Sequence, residues 1–124
     1  MKTFLCWSAA FLFFGKIVYA QTTVAKDSLY IVTYTTGEAW DQAKAPGDQV
    51  HFKDHSLRLS QLRKDGVIRF GARYADKGII VITAANFAVA KEIVSKDVAV
   101  ATKLFQADVQ KLGIFYEGCL EKIK

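Results

Sequence analysis

Gly78-Ile79-Ile80-Val81-Ile82-Thr83-Ala84 is the stretch that decides the fold. Four β-branched aliphatic residues in a row, a threonine after them and a glycine in front read as a β-strand. Alternate side chains of a strand point to opposite faces. Ile80, Ile82 and Ala84 therefore share one face, and Ile79, Val81 and Thr83 the other. Both sets are apolar or nearly so. An antiparallel sheet with one wet face shows polar residues on that face, so this strand is expected to be covered on both sides.

Just upstream, Val67 to Tyr74 reads as a second strand, and Asp76-Lys77-Gly78 as the turn of a hairpin. In strict alternation Ile68, Phe70, Ala72 and Tyr74 form an apolar face directed at the helices. Val67, Arg69, Gly71 and Arg73 then point the other way. Working outward, Asp48 is the expected N-cap of a helix that runs to Asp65 and stops at Gly66. Phe52, His55, Leu59 and Leu62 lie on its apolar stripe. Ser28 to Tyr34 is the first strand, joined to that helix by a loop from Thr35 to Gly47. On the other side Asn86 caps a helix over Phe87 to Val94. Ser95-Lys96-Asp97 breaks it, Val98 to Leu104 adds a short helical turn, and Asp108 to Glu117 is the last strand. The order β-α-β-β-α-β predicts an α+β, ferredoxin-like domain, with a four-stranded antiparallel sheet and two helices on one face. The helices cover one face only. The other calls for a second copy of the chain, a homodimer through the open sheet face; the alternative, a monomer with a bare apolar patch, is one that soluble proteins avoid.

The ends of the chain bear on where it works. Lys2, the apolar run Phe4 to Phe14, and Val18-Tyr19-Ala20 have the layout of a secretory signal peptide, with cleavage before Gln21. A spanning helix needs about 20 apolar residues, and Gly15-Lys16 interrupts this run. The expectation is export to the periplasm or medium, with residues 21–124 as one domain and no membrane attachment after cleavage. The whole chain carries a net charge of +5, of which Lys2 and Lys16 of the leader account for two. No lysine–arginine cluster of the kind that tracks nucleic acid is present, so no nucleic-acid partner is expected. Cys119 alone remains after processing: an idle thiol, or a cross-link between two chains.

Few residues are suited to chemistry. His55 lies on the sheet-facing side of its helix, where it is either a general acid/base or a core histidine satisfied by one hydrogen bond. His51, four residues earlier, shares its face and gives half a metal site. No HExxH motif or cysteine pair completes one, so no metal and no cofactor is assigned. Asp97 is a turn acid unless it meets His55, in which case it would fix the imidazole tautomer. Arg69 and Arg73 are candidates to hold an anion, or else to form salt bridges between chains. Tyr34, with Tyr30, Trp40 and Phe70, could line an apolar pocket; Phe70 is expected in the core.

The stretch from Leu29 to about Tyr116 resembles the YCII-related domain of the dimeric α/β barrel superfamily. The resemblance runs through His55-Ser56-Leu57, Gly66 eleven residues on, Val67 to Gly71 and the strand from Gly78 to Ile82. It continues in the helix with Ala88, Ala90 and Lys91, the Ser95-Lys96-Asp97-Val98 break, and Ala101 to Phe105. It implies a site that pairs His55 with Asp97. Two positions depart from the family pattern: Ala72 and Val98 stand where proline is common. A similar dehydrochlorinase implies elimination or proton-shuttle chemistry on a small ring compound. Two readings follow: a cofactor-free lyase or isomerase acting on a small organic molecule, or a non-catalytic dimeric ligand-binding or accessory module.

Overall fold

The computed structural model describes residues 26–123. The expected leader and its cleavage point lie outside the described residues. Four strands form one antiparallel sheet: β1 (Ser28–Thr36), β2 (Ile68–Tyr74), β3 (Lys77–Ala84) and β4 (Phe105–Lys111), in the order β2-β3-β1-β4. Between β1 and β2 come a 3-10 turn at Pro46–Asp48 and α1 (Phe52–Lys64). Between β3 and β4 come α2 (Phe87–Ser95) and the single turn α3 (Val98–Ala101). The fold is α+β with an open four-stranded sheet, and its strand order is compatible with the split-βαβ pattern of ferredoxin-like domains.

The core lies between the sheet and the helices. Tyr30, Val32 and Tyr34 of β1 and Ile80, Ile82 and Ala84 of β3 face inward, and Leu59, Leu62, Ala90, Ile93 and Val94 pack on them. Each buried aliphatic side chain of this kind stabilises the fold by about 1.5–3 kcal/mol relative to exposure. Local chemistry sets the helix ends. The Asn86 side chain accepts a hydrogen bond from Val89 N at 2.9 Å. At the end of α1, Gly66 takes φ +77°, and Val67 N then donates to Leu62 O at 3.0 Å.

Several boundaries differ from the expected ones. Asp48 closes the 3-10 turn instead of capping α1; His51 holds the N-cap position, at φ +67° and with no side-chain capping bond. β1 runs two residues further, to Thr36. β4 lies earlier than Asp108–Glu117. Its Phe105 pairs with Thr36 and its Lys111 with Tyr30, so β1 is nearly used up when Leu112 donates to Leu29 O at 2.9 Å. Ile114, Phe115 and Tyr116 have strand-like side chains but no neighbouring strand to bond among the described residues.

The most consequential correction is in β2. Ile68 pairs with Ile82 and Phe70 with Val81, so two residues of β2 advance against one of β3. This β-bulge at Arg69 reverses the alternation. Beyond it, Gly71 pairs with Ile80 and Arg73 with Gly78, which puts both on the helix face, while Phe70, Ala72 and Tyr74 share the opposite face with Val81 and Ile79. Arg73 is thus not on the helix-free face, and Phe70 is not in the helix-side core. Ile31, Ile79, Val81 and Phe70 form an apolar centre on the face that carries no helix, and β4 adds Gln106, Asp108 and Gln110 at its edge.

Gly37 shows how tightly β1 is joined to the turn before β4. Its N donates to Leu104 O at 2.8 Å, and a Cβ placed on it would lie 2.1 Å from Lys103 O. Backbone is on both sides of that contact, so neither can yield cheaply. Gly37→Ala is expected to destabilise the domain by about 2–4 kcal/mol, read as a lower urea midpoint with unchanged slope. An unchanged midpoint would show that this joint is loose.

Candidate active site

Side chains on the helix face of the sheet lie in rows across paired strands. One row is Ile68–Ile82–Tyr30, the next Gly71–Ile80–Val32, the last Arg73–Gly78–Tyr34. The first is full. The second and third each contain a glycine, so the sheet floor is bare at Gly71 and Gly78. Above that gap is a cavity of about 610 Å³, within the size range of small-molecule sites. Tyr34, Phe52, His55, Leu59 and Phe105 form its walls, Trp40 and Pro46 reach in from the loop after β1, and Arg73 and Asp76 stand on the hairpin side.

The loop has its own anchor. Gln49, almost fully buried, accepts from Asp41 N at 2.9 Å and donates from Nε2 to Asp41 O at 2.7 Å and Lys44 O at 3.1 Å. That cross-brace holds the segment carrying Trp40 and Pro46. Phe105 is the centre of the aromatic wall: its ring lies 4.9 Å from His55, 5.7 Å from Trp40, and 6.2 Å from both Tyr34 and Phe52.

His55, in the first turn of α1, is 8% exposed, and Asp97 is 1% exposed. They are 42 residues apart in sequence, and the Nδ1 of His55 lies 2.5 Å from Oδ2 of Asp97. The other carboxylate oxygen caps α3 by accepting from Ala99 N at 3.0 Å. The helical break is what brings Asp97 here: α2 ends at Ser95, and the backbone turns extended at Asp97 before α3 starts. A carboxylate on Nδ1 selects the tautomer with hydrogen on that nitrogen. Nε2 is then the lone-pair nitrogen. Among the described residues it has no hydrogen-bond partner, yet it is not sealed in packing, because the one buried side-chain nitrogen or oxygen left without a partner there is Arg58 Nε. His55 lines the cavity, and Nε2 is the ring nitrogen that Asp97 does not engage.

Tyr34 meets His55 edge-on with ring centres 5.2 Å apart. Burial raises its phenol above the ordinary value near 10, the negative charge of Asp97 raises it further, and Arg58 acts in the opposite sense. Tyr34 therefore presents a neutral hydroxyl at any ordinary pH. An unfolded tyrosine ionises above about pH 10 while the folded one resists. The contribution of Tyr34 is complete below that pH and lost as pH rises beyond it. Tyr34→Phe should lose less stability than wild type between about pH 8 and pH 11 in urea titrations; parallel losses would contradict this.

The remaining candidates fall in different places. Arg73 lines the cavity with no carboxylate or other acceptor on it among the described residues. Arg69, on the bulge, borders a separate open depression with Lys26, Asp27 and Asp65, away from His55. His51 pairs with Asp54 at 3.1 Å, half-exposed, and does not line the cavity. Among the described residues no group of three or more histidines, cysteines or acids is arranged to hold a metal ion, and no helix is long and apolar enough to cross a membrane. Tyr30 packs against Phe87 at 6.1 Å in the filled row, not in the cavity.

Sequence reasoning missed Phe105, Phe52, Gly71, Gly78 and Arg58. A glycine inside a strand pattern is a known sign of a bulge or of close approach by a ligand, and Gly71 carried that sign. Nothing marked Arg58. It lies one turn beyond His55 and donates from Nη2 to Ile93 O at 2.7 Å, which ties α1 to the end of α2 just before Asp97. Compared with known proteins, the chain matches no family model and no curated sequence.

Proposed function

We propose that the protein is a small acid/base catalyst of the lyase or isomerase type, working without a cofactor on a small organic molecule held in the cavity. The observation that carries this reading is the buried His55–Asp97 pair, whose histidine lines a cavity large enough for a substrate and has no Nε2 partner among the described residues. A carboxylate on Nδ1 orients the ring and stabilises the imidazolium formed when Nε2 takes a proton. Tyr34 offers a neutral donor to an oxygen that gains charge in that step. Arg73 attracts a negative substituent. The meeting of His55 and Asp97 also supports placing the chain with YCII-related proteins, whose site pairs a histidine and an aspartate at these positions.

In the same reading the protein acts as an exported homodimer. Support for the pairing is the apolar centre of Ile31, Ile79, Val81 and Phe70 on the helix-free face. Support for export is the leader pattern of residues 1–20; N-terminal sequencing of secreted material should begin at Gln21.

The catalytic role can be tested before the substrate is known. A base at His55 Nε2 should exchange acidic C–H hydrogens of bound ketones, lactones or phenols for deuterium from D₂O, followed by proton NMR. His55→Gln can keep a hydrogen bond to Asp97 but has no titrating nitrogen. It should reduce exchange at least about 100-fold with the circular dichroism spectrum unchanged. Binding retained by His55→Gln, with no exchange by wild type across the panel, would instead make this a ligand-binding module.

A further inference from the structure

We propose that the ligand of this cavity is a flat conjugated ring carrying a single carboxylate, lying on the bare backbone at Gly71 and Gly78 with its carboxylate on Arg73. The inference rests on the reading of His55 and Asp97 as the working end of the cavity, and adds the chemical class that fits the rest of it.

The two glycines are the starting point, because the protein's own structure does not require them. Neither adopts a left-handed backbone; among the described residues Gly66 is the one glycine with positive φ. Neither is pressed by a neighbour: a Cβ on Gly71 would come no closer than 3.7 Å to Ile80, and one on Gly78 no closer than 3.9 Å to Tyr34. Those are ordinary van der Waals distances. A β-branched residue at either place would suit the strand better and fill the gap. What the glycines supply is an uncovered strip of two strands, flat enough for a ring to lie on.

The far end of the cavity suits the same shape. Phe105 of β4, with Trp40 and Phe52 beside it, adds aromatic surface across β1 from that strip. Aromatic rings favour offset-stacked or edge-on neighbours, which a flat ring can satisfy and a puckered one satisfies poorly. The charge comes from Arg73. It projects on the same face as Tyr34 and Gly78, two residues along the strand from Gly71, and carries no acceptor from the described residues. A guanidinium matches a carboxylate with two parallel hydrogen bonds. Asp76 borders the same cavity and repels a second negative charge, so one carboxylate suits the site better than two. With the carboxylate on Arg73, the far side of the ring is the part that faces Tyr34 and His55.

The test compares three small probes on the full-length protein: benzoate, cyclohexanecarboxylate and benzamide. The first has the flat ring and the charge, the second the charge alone, the third the ring alone. Binding is read from the His55 imidazole signals in NMR titrations, assigned with His55→Gln. Benzoate is expected to bind at least about tenfold more tightly than either of the others. Arg73→Gln should remove its advantage over benzamide. Gly71→Val should abolish ring binding while the melting temperature holds or rises. Equal binding of cyclohexanecarboxylate or benzamide would overturn the assigned class and leave the acid/base reading to the deuterium-exchange result. Failure of all three to move the His55 signals would overturn the class as well, whatever the exchange experiment gives.

Discussion

Asp97→Asn is expected to reduce any proton-transfer activity by about 10²- to 10⁴-fold while leaving the protein folded. The reason is tautomeric. Asp97 Oδ2 accepts the Nδ1–H of His55 at 2.5 Å. An amide can keep Oδ1 on Ala99 N, where the carboxylate accepts at 3.0 Å, and still cap α3. Its NH₂ then faces His55, so Nδ1 must become the acceptor and the proton moves to Nε2. The nitrogen that faces the cavity is then a donor with no lone pair for a substrate proton. Asp97→Ala is a different experiment. It removes the cap, worth about 1 kcal/mol, and leaves Nδ1 unpartnered in a buried site, worth about 1–3 kcal/mol more. For a domain of this size the melting temperature should fall by about 10–20 °C. Side by side, the asparagine variant loses rate and the alanine variant loses stability and rate together. Wild-type exchange rates in the asparagine variant would mean that His55 does not act as the base through Nε2.

Phe70→Glu carries the second large effect. On a face open to water, replacing a half-buried aromatic with a charge shifts stability by little, commonly within about 0.5 kcal/mol. Between two sheets the same carboxylate is left unpaired in apolar surroundings, which costs several kcal/mol, on the order of 3–5, and splits the pair. Sedimentation equilibrium separates the two cases. The wild-type protein is expected at twice its chain mass and the variant at one chain mass, with the same circular dichroism spectrum. A wild-type protein that sediments as a single chain at micromolar concentration would refute the homodimer. The choice of Phe70 depends on the bulge at Arg69, which puts Phe70 beside Val81 on the helix-free side. Without that bulge the substitution would damage the helix-side core and unfold the chain.

The two arginines show how one local irregularity limits what a sequence can say. Read in strict alternation, Arg69 and Arg73 point the same way. The extra residue in β2 sends Arg73 to the cavity, while Arg69 stays at the edge with Lys26 and Asp65. A bulge depends on how two strands register against each other, and that register is a property of the pair. The last strand is a similar case. Ile114-Phe115-Tyr116 has the better β-forming side chains, but the pairing went to Phe105–Lys111 because that segment lies where β1 still offers bonds.

The sequence by itself determined the element order, the central strand with two apolar faces, the glycine end of α1 and the Asn86 cap. These follow from backbone preferences and side-chain periodicity within a few residues, which act before any long-range contact forms. It also singled out His55 and Asp97 as residue types suited to proton transfer. Only the tertiary structure decided that they touch, that Arg73 joins them and Arg69 does not, and that a cavity opens over Gly71 and Gly78. Each of those outcomes depends on the distance between segments far apart in the chain, and that distance is fixed by strand register and by the packing of helices on the sheet, not by local sequence.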